Sequence, residues 1–98
     1  MSELDARFAE LRERFLNRSR EDLRFIEAAL ADLDEADHEA LRRTVHRLAG
    51  AAGTFGFSEL SRLAGEADDA LMVEMADVSE ELGRVVAELR AALGETAG

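Results

Sequence analysis

Leu41-Arg42-Arg43-Thr44-Val45-His46-Arg47-Leu48-Ala49-Gly50-Ala51-Ala52-Gly53-Thr54-Phe55 is the stretch that decides the fold. A helix turns about 100° per residue. With Val45 as origin, Leu41, Leu48, Ala52 and Phe55 fall within about 80° of it and make one apolar stripe. His46 lies about 140° from the centre of that stripe, on the side that faces solvent. Its neighbours three and four residues away are Arg42, Arg43, Ala49 and Gly50, and Gly53 follows one turn further along. Glycine inside a helix costs about 1 kcal/mol relative to alanine. Two glycines beside an exposed imidazole predict that something approaches that ring closely.

The same spacing runs outward in both directions, and no period-2 stretch of strand length interrupts it. Leu4, Phe8, Leu11 and Phe15 form a first stripe. Asn17-Arg18-Ser19 reads as a break, with Ser19 and Asp22 as N-cap and acidic third position of a new helix. Leu23, Ile26, Leu30 and Leu33 form its stripe. After the polar connection Asp34-Glu35-Ala36-Asp37, Asp37 caps a helix that runs to about Thr54. Gly56 supplies the left-handed residue that ends it, and Ser58 caps the next, with stripe Leu60, Leu63, Ala67 and Leu71. Asp77 and Glu80 read as a capping box before Val78, Leu82, Val85, Leu89 and Leu93. The tail Gly94 to Gly98 reads as frayed. Short connections favour antiparallel neighbours. The expectation is an all-α fold: an antiparallel up-and-down four-helix bundle with an additional short N-terminal helix, residues 1–98 forming one domain.

Composition narrows the function. The 98 residues are 47% hydrophobic, enough for one small core. The net charge is −10, from 22 acidic and 12 basic residues, and every basic residue is arginine. An acidic surface argues against nucleic-acid phosphates and anionic lipid as partners, and no lysine is available as nucleophile or phosphate clamp. No cysteine is present, which fits a reducing compartment. Met1 to Glu10 holds no apolar signal segment, and no apolar run approaches the roughly 20 residues of a membrane span. The reading is a soluble, cytoplasmic, free-standing protein. One polar face per helix makes it a monomer.

Counting equal distances from the turn near Gly56 places His46 opposite residues 66 to 68. Asp68 then either reaches the imidazole and fixes its tautomer or belongs, with Asp69, to a solvated acidic face. Arg42 and Arg43 either pair with acids such as Glu39 or offset negative charge placed on the histidine. His38 lies eight residues from His46, about 12 Å along a helix and too far to chelate with it. It reads as a surface residue, and no metal site is expected.

The segment Val45 to Leu60 resembles the histidine-containing phosphotransfer (HPt) domain, whose motif is His-x-Leu-Lys-Gly followed by small residues and a further glycine. Here it is His46-Arg47-Leu48-Ala49-Gly50, then Ala51-Ala52-Gly53-Thr54-Phe55-Gly56. The resemblance implies a helical bundle that carries a phosphoryl group on His46 and exchanges it with an aspartate on a receiver domain. It implies that Leu48 is core and that Gly50 leaves room for the phosphoryl group and the partner. Asp68 stands where family members place a polar side chain that hydrogen-bonds the histidine. One departure matters: the family's usual lysine is Ala49 here, and a supporting cation must then come from Arg42 or Arg43.

Neutral imidazole is a good nucleophile near pH 7. The chain shows no Gly-rich nucleotide loop and no Walker-type Gly-Lys-Ser. The expectation is a phosphocarrier, not an enzyme, with no cofactor of its own. Its partner would be the receiver domain of a response regulator or hybrid histidine kinase, which brings the magnesium and most of the charge stabilisation. Phe25 departs from the stripe of its helix and is either an exposed anchor for that partner or packs under the first short helix. Two other readings stand beside the carrier: a module that docks a receiver without transferring phosphate, kept open by Ala49, and a purely structural bundle.

Overall fold

The computed structural model describes residues 2–95, and these form four helices joined by turns. α1 spans Glu3–Ala31, α2 His38–Thr54, α3 Ser58–Leu71 and α4 Ser79–Leu93. No strand occurs among the described residues. α1 packs against α2 and α4, and α3 packs against the same two helices, so each helix has two neighbours.

The largest difference from expectation is α1. The break at Asn17-Arg18-Ser19 is absent, and one 29-residue helix replaces the short first helix and its successor. No glycine or proline lies between Glu3 and Ala31, so nothing in the backbone forces an interruption. Ser19 and Asp22 do not cap; both are buried on the inner face of α1. The Asp22 carboxylate accepts a hydrogen bond from Arg47 of α2 at 2.7 Å, and Arg18 lies 3.6 Å away. A tertiary partner therefore settles the role of Asp22, which sequence spacing alone reads as a local cap. The cap of α1 is Ser2, whose hydroxyl accepts from the Asp5 N–H at 3.1 Å while the Asp5 carboxylate returns to the Ser2 N–H.

The first stripe is also corrected. Phe15 is buried, but Leu4, Phe8 and Leu11 are exposed. Phe8 and Phe15 each reach the Phe55 ring at 5.3 Å, and Phe15 also meets Phe57 at 5.5 Å. The turn between α2 and α3 thus lies against the first half of α1, and residues before Phe8 run past it.

The remaining stripes close on one core. Leu23 and Ile26 of α1, Leu41, Val45, Leu48 and Ala52 of α2, Leu60, Leu63 and Ala67 of α3, and Leu82, Val85 and Leu89 of α4 are buried in it, with Val78 just before α4. Ala29, Ala64 and Val86 join them. Burial of a large aliphatic side chain contributes about 1.5–3 kcal/mol. Turning α2 by one position to bury His46 would bring Leu41, Val45 and Leu48 towards solvent, at a cost of about 5 kcal/mol by that measure. The core therefore fixes which way His46 points.

The connections matter for position. Asp37 caps α2 by accepting from the Ala40 N–H at 3.0 Å. α2 ends in a Schellman turn, with Phe57 N–H bonded to the Ala52 carbonyl at 2.9 Å and Gly56 N–H to Gly53 at 3.3 Å. Gly56 takes φ +83°, a region that other residues rarely adopt. Ser58 does not cap α3: it is the first helical residue, and Phe57 precedes it without a side-chain cap. Nor do Asp77 and Glu80 form a capping box. Asp77 instead accepts from the N–H and hydroxyl of Ser79 at 3.0 and 2.7 Å, and these bonds hold its carboxyl below the usual aspartate range. Gly94, at φ +72°, ends α4. The expectation of fraying beyond Glu95 lies outside the described residues.

Candidate functional site

His46 stands on the outer surface of α2 with 72% of its side chain accessible. Contacts between α2 and α3 move along the two helices in opposite senses from their shared turn. Ser61 Oγ donates to the Ala49 carbonyl at 2.7 Å, and further from the turn His46 meets Asp68. His46 Nδ1 lies 2.7 Å from Asp68 Oδ2. Asp68 is far less exposed than its partner, at 13%, so the carboxylate is held and the ring is presented.

This contact fixes the chemistry of the ring. A carboxylate accepts hydrogen bonds, so Nδ1 carries the proton that Asp68 accepts. In the neutral ring the lone pair then resides on Nε2, the nitrogen that projects away from α3. The other carboxylate oxygen, Oδ1, lies 3.2 Å from Arg42 Nε as an ionic contact without hydrogen-bond geometry. Arg42, Asp68 and His46 thus form a row in which the carboxylate is shared between a guanidinium and an imidazole.

The other expected residues divide. Arg43 is not part of the row: it turns to Glu39 at 3.1 Å, and both side chains are well exposed. Ala49 is half-buried and packs against the core. Gly50 is exposed, and a Cβ built there would meet nothing within 4 Å. Gly53 differs: a Cβ there would sit 3.3 Å from Ser61 Oγ, so this glycine relieves the α2–α3 contact. Phe25 is 40% exposed. It cannot pack under a separate first helix, because α1 is continuous. It lies about one turn along α1 from Asp22, which contacts Arg47, the residue after His46. His38 is exposed at the start of α2, its Nε2 2.8 Å from the Leu33 carbonyl.

Two participants escaped sequence reading. Arg47 and Asp22 tie α2 to α1 immediately beside His46. The available signal was the position of Asp22, four residues before Ile26 on the buried face, where an acid needs a partner. No cluster of three or more His, Cys, Asp or Glu able to hold a metal ion occurs among the described residues, and no helix there is long and apolar enough to cross a membrane.

The described helices thus present an exposed histidine against a carboxylate of the neighbouring helix, beside an open glycine. The family model described as Hpt domain matches residues 10–97, and the chain belongs to that family. Hpt domains are phosphocarrier modules of phosphorelays, acting in histidine phosphotransfer and interacting with receiver domains. No curated protein and no solved structure matches the chain.

Proposed function

We propose that His46 is the phosphoryl acceptor and that the chain is a single-domain carrier, exchanging phosphate with receiver-domain aspartates. The observation that carries this reading is the 2.7 Å contact from Asp68 to His46 Nδ1, which leaves Nε2 free and exposed. In the transfer, the Nε2 lone pair attacks phosphorus of a receiver's aspartyl phosphate. The N–P bond forms as the acyl P–O bond breaks, and the aspartate carboxylate leaves. The ring keeps its Nδ1 proton and becomes cationic, and the Asp68 carboxylate beside that proton stabilises the cation. Arg42, 3.2 Å from the other carboxylate oxygen, holds Asp68 in place. The reverse reaction regenerates the neutral ring.

Magnesium and the remaining charge stabilisation come from the receiver. Gly50 supplies clearance for it, and Phe25 supplies an apolar contact nearby. The helices follow the antiparallel up-and-down order, one copy suffices for transfer, and the reaction takes place in the cytoplasm. Incubation with phosphorylated receiver domains tests the reading: the receivers lose phosphate and the chain gains it. Receivers that bind without losing phosphate would instead favour the docking-only module. Ala49, in place of the family's lysine, is the observation behind that second reading, and Ala49→Lys would then restore transfer.

A further inference from the structure

Among the described residues two apolar patches are left uncovered, and they lie at opposite ends of a structure 49 Å long. At one end, α1 extends past the α2–α3 turn and presents Leu4 (82% exposed), Phe8 and Leu11. These residues repeat at four- and three-residue intervals, so they form one stripe continuous with the buried face that begins at Phe15. On a helix of about 100° per residue, Arg7 and Arg14 border this stripe on one side and Arg12 on the other. Glu3, Glu10 and Glu13 fall beyond about 100° from its centre. Asp5 sits at the edge, engaged with Ser2. The patch is apolar with arginine borders.

The other end is its complement. The α3–α4 connection exposes Met72, Val73 and Met75, the last at 98% with φ +64°. Met75–Val78 line one cleft with Leu33, Asp34 and His38, so the α1–α2 connection lies beside them. The segments 32–37 and 72–78 contain Asp32, Asp34, Glu35, Asp37, Glu74 and Asp77 and no arginine. This patch is apolar with carboxylate borders.

From this complementarity we infer that the chain associates head to tail with a second copy of itself, the α1 stripe of one copy on the Met72–Met75 connection of the next. One molecule cannot satisfy both patches internally, since the length of α2, about 25 Å, separates the two ends. The stripe does not suit its own kind, because two such stripes face to face bring arginines together. The family match begins at residue 10, so Leu4 and Phe8 lie outside it. The monomer expected from polar outer faces does not account for either patch. Three side chains on each surface make a small contact, below the roughly 1,200 Å² of stable interfaces, so the association is weak, with Kd of about 1 mM. A heterologous contact of this kind does not close, and chains lengthen with concentration.

Sedimentation equilibrium from about 20 μM to about 1 mM protein tests the inference. The weight-average mass is expected to rise from that of one chain to about twice that value, without a dimer plateau, and to fall back in 0.5 M salt, roughly three times the physiological ionic strength. Leu4→Glu alone and Met72→Arg with Met75→Arg alone each abolish the rise. A mixture of the two variants forms a one-to-one pair, because each keeps one working end. All altered side chains are exposed, and circular dichroism checks that both variants stay folded. A single-chain mass throughout the range would overturn the inference. So would a methionine variant that associates like wild type, which would assign the contact to stripe against stripe.

Discussion

Replacing Asp68 by asparagine is the sharpest perturbation of the His46 row. In the native protein Asp68 Oδ2 accepts from His46 Nδ1 at 2.7 Å, while Oδ1 faces Arg42 at 3.2 Å. Asparagine has one acceptor oxygen and one donor nitrogen. Arg42 can only donate, so it takes the oxygen, and the amide N–H₂ turns towards Nδ1. The imidazole must then accept at Nδ1 and carry its proton on Nε2, which removes the nucleophilic lone pair.

The native bond is charge-assisted but joins an exposed ring, so its net worth is about 1 kcal/mol, near the top of the range for exposed ion pairs. Asp68→Ala loses that preference and should slow phosphoryl uptake about fivefold. Asp68→Asn loses it and gains an opposing preference of similar size, about 2 kcal/mol in all, or about thirtyfold. The assay has two arms. Uptake is timed with a phosphorylated receiver, and long-range ¹H–¹⁵N correlation of the neutral imidazole reads the tautomer directly. Wild type is expected as the Nδ1–H form and Asp68→Asn as the Nε2–H form. A wild-type ring protonated on Nε2, or an asparagine variant faster than the alanine variant, would refute the reasoning.

Gly50→Ala should raise stability to urea by about 1 kcal/mol, because the space at Gly50 is open. Gly53→Ala should gain less, since its Cβ meets Ser61 Oγ at 3.3 Å; equal gains would contradict that contact. Gly50→Phe should keep the fold yet cut transfer from a receiver at least about tenfold, about 1.4 kcal/mol in the barrier. Arg47→Ala should destabilise by about 2 kcal/mol by removing the bonded partner of buried Asp22, whereas Arg18→Ala, 3.6 Å from the same carboxylate, should cost under about 0.5 kcal/mol. Thermal unfolding of the two variants makes the comparison. Asp77 is held below its ordinary value by Ser79, so its contribution is present at neutral pH and lost as pH falls through the folded-state value. The stability difference between wild type and Asp77→Asn should therefore shrink on acidification below about pH 4; a difference that grows there would reverse the sign.

Those features of the fold that depend on spacing along one helix were legible in the sequence. The stripe Leu41, Val45, Leu48 and Ala52 sets the rotation of α2, and with it the outward direction of His46. Gly56 and Asp37 were readable because a left-handed turn and an N-cap are local requirements. Counting from Gly56 reached Asp68 because α2 and α3 are joined by a tight turn, which leaves little freedom in register. What was not legible depends on partners distant in the chain. Ser19 and Asp22 have the spacing of a helix start, and only Arg47, 25 residues beyond Asp22, shows that the acid points inward. Leu4, Phe8 and Leu11 have the spacing of a core stripe, but spacing does not say where the opposing helices end. Ser58 looks like a cap, but the Schellman turn at Phe55–Phe57 carries the chain directly into α3. The choice between Arg42 and Arg43 likewise turned on which side of α2 faces Asp68.

The central claim is that His46 takes the phosphoryl group, and mapping the label is its most direct test. Wild type, His46→Gln and His38→Gln are each incubated with a phosphorylated receiver domain and probed for acid-labile, base-stable phosphate. The account predicts label on wild type and on His38→Gln, and none on His46→Gln. Label that persists on His46→Gln, or that disappears with His38→Gln, would contradict it.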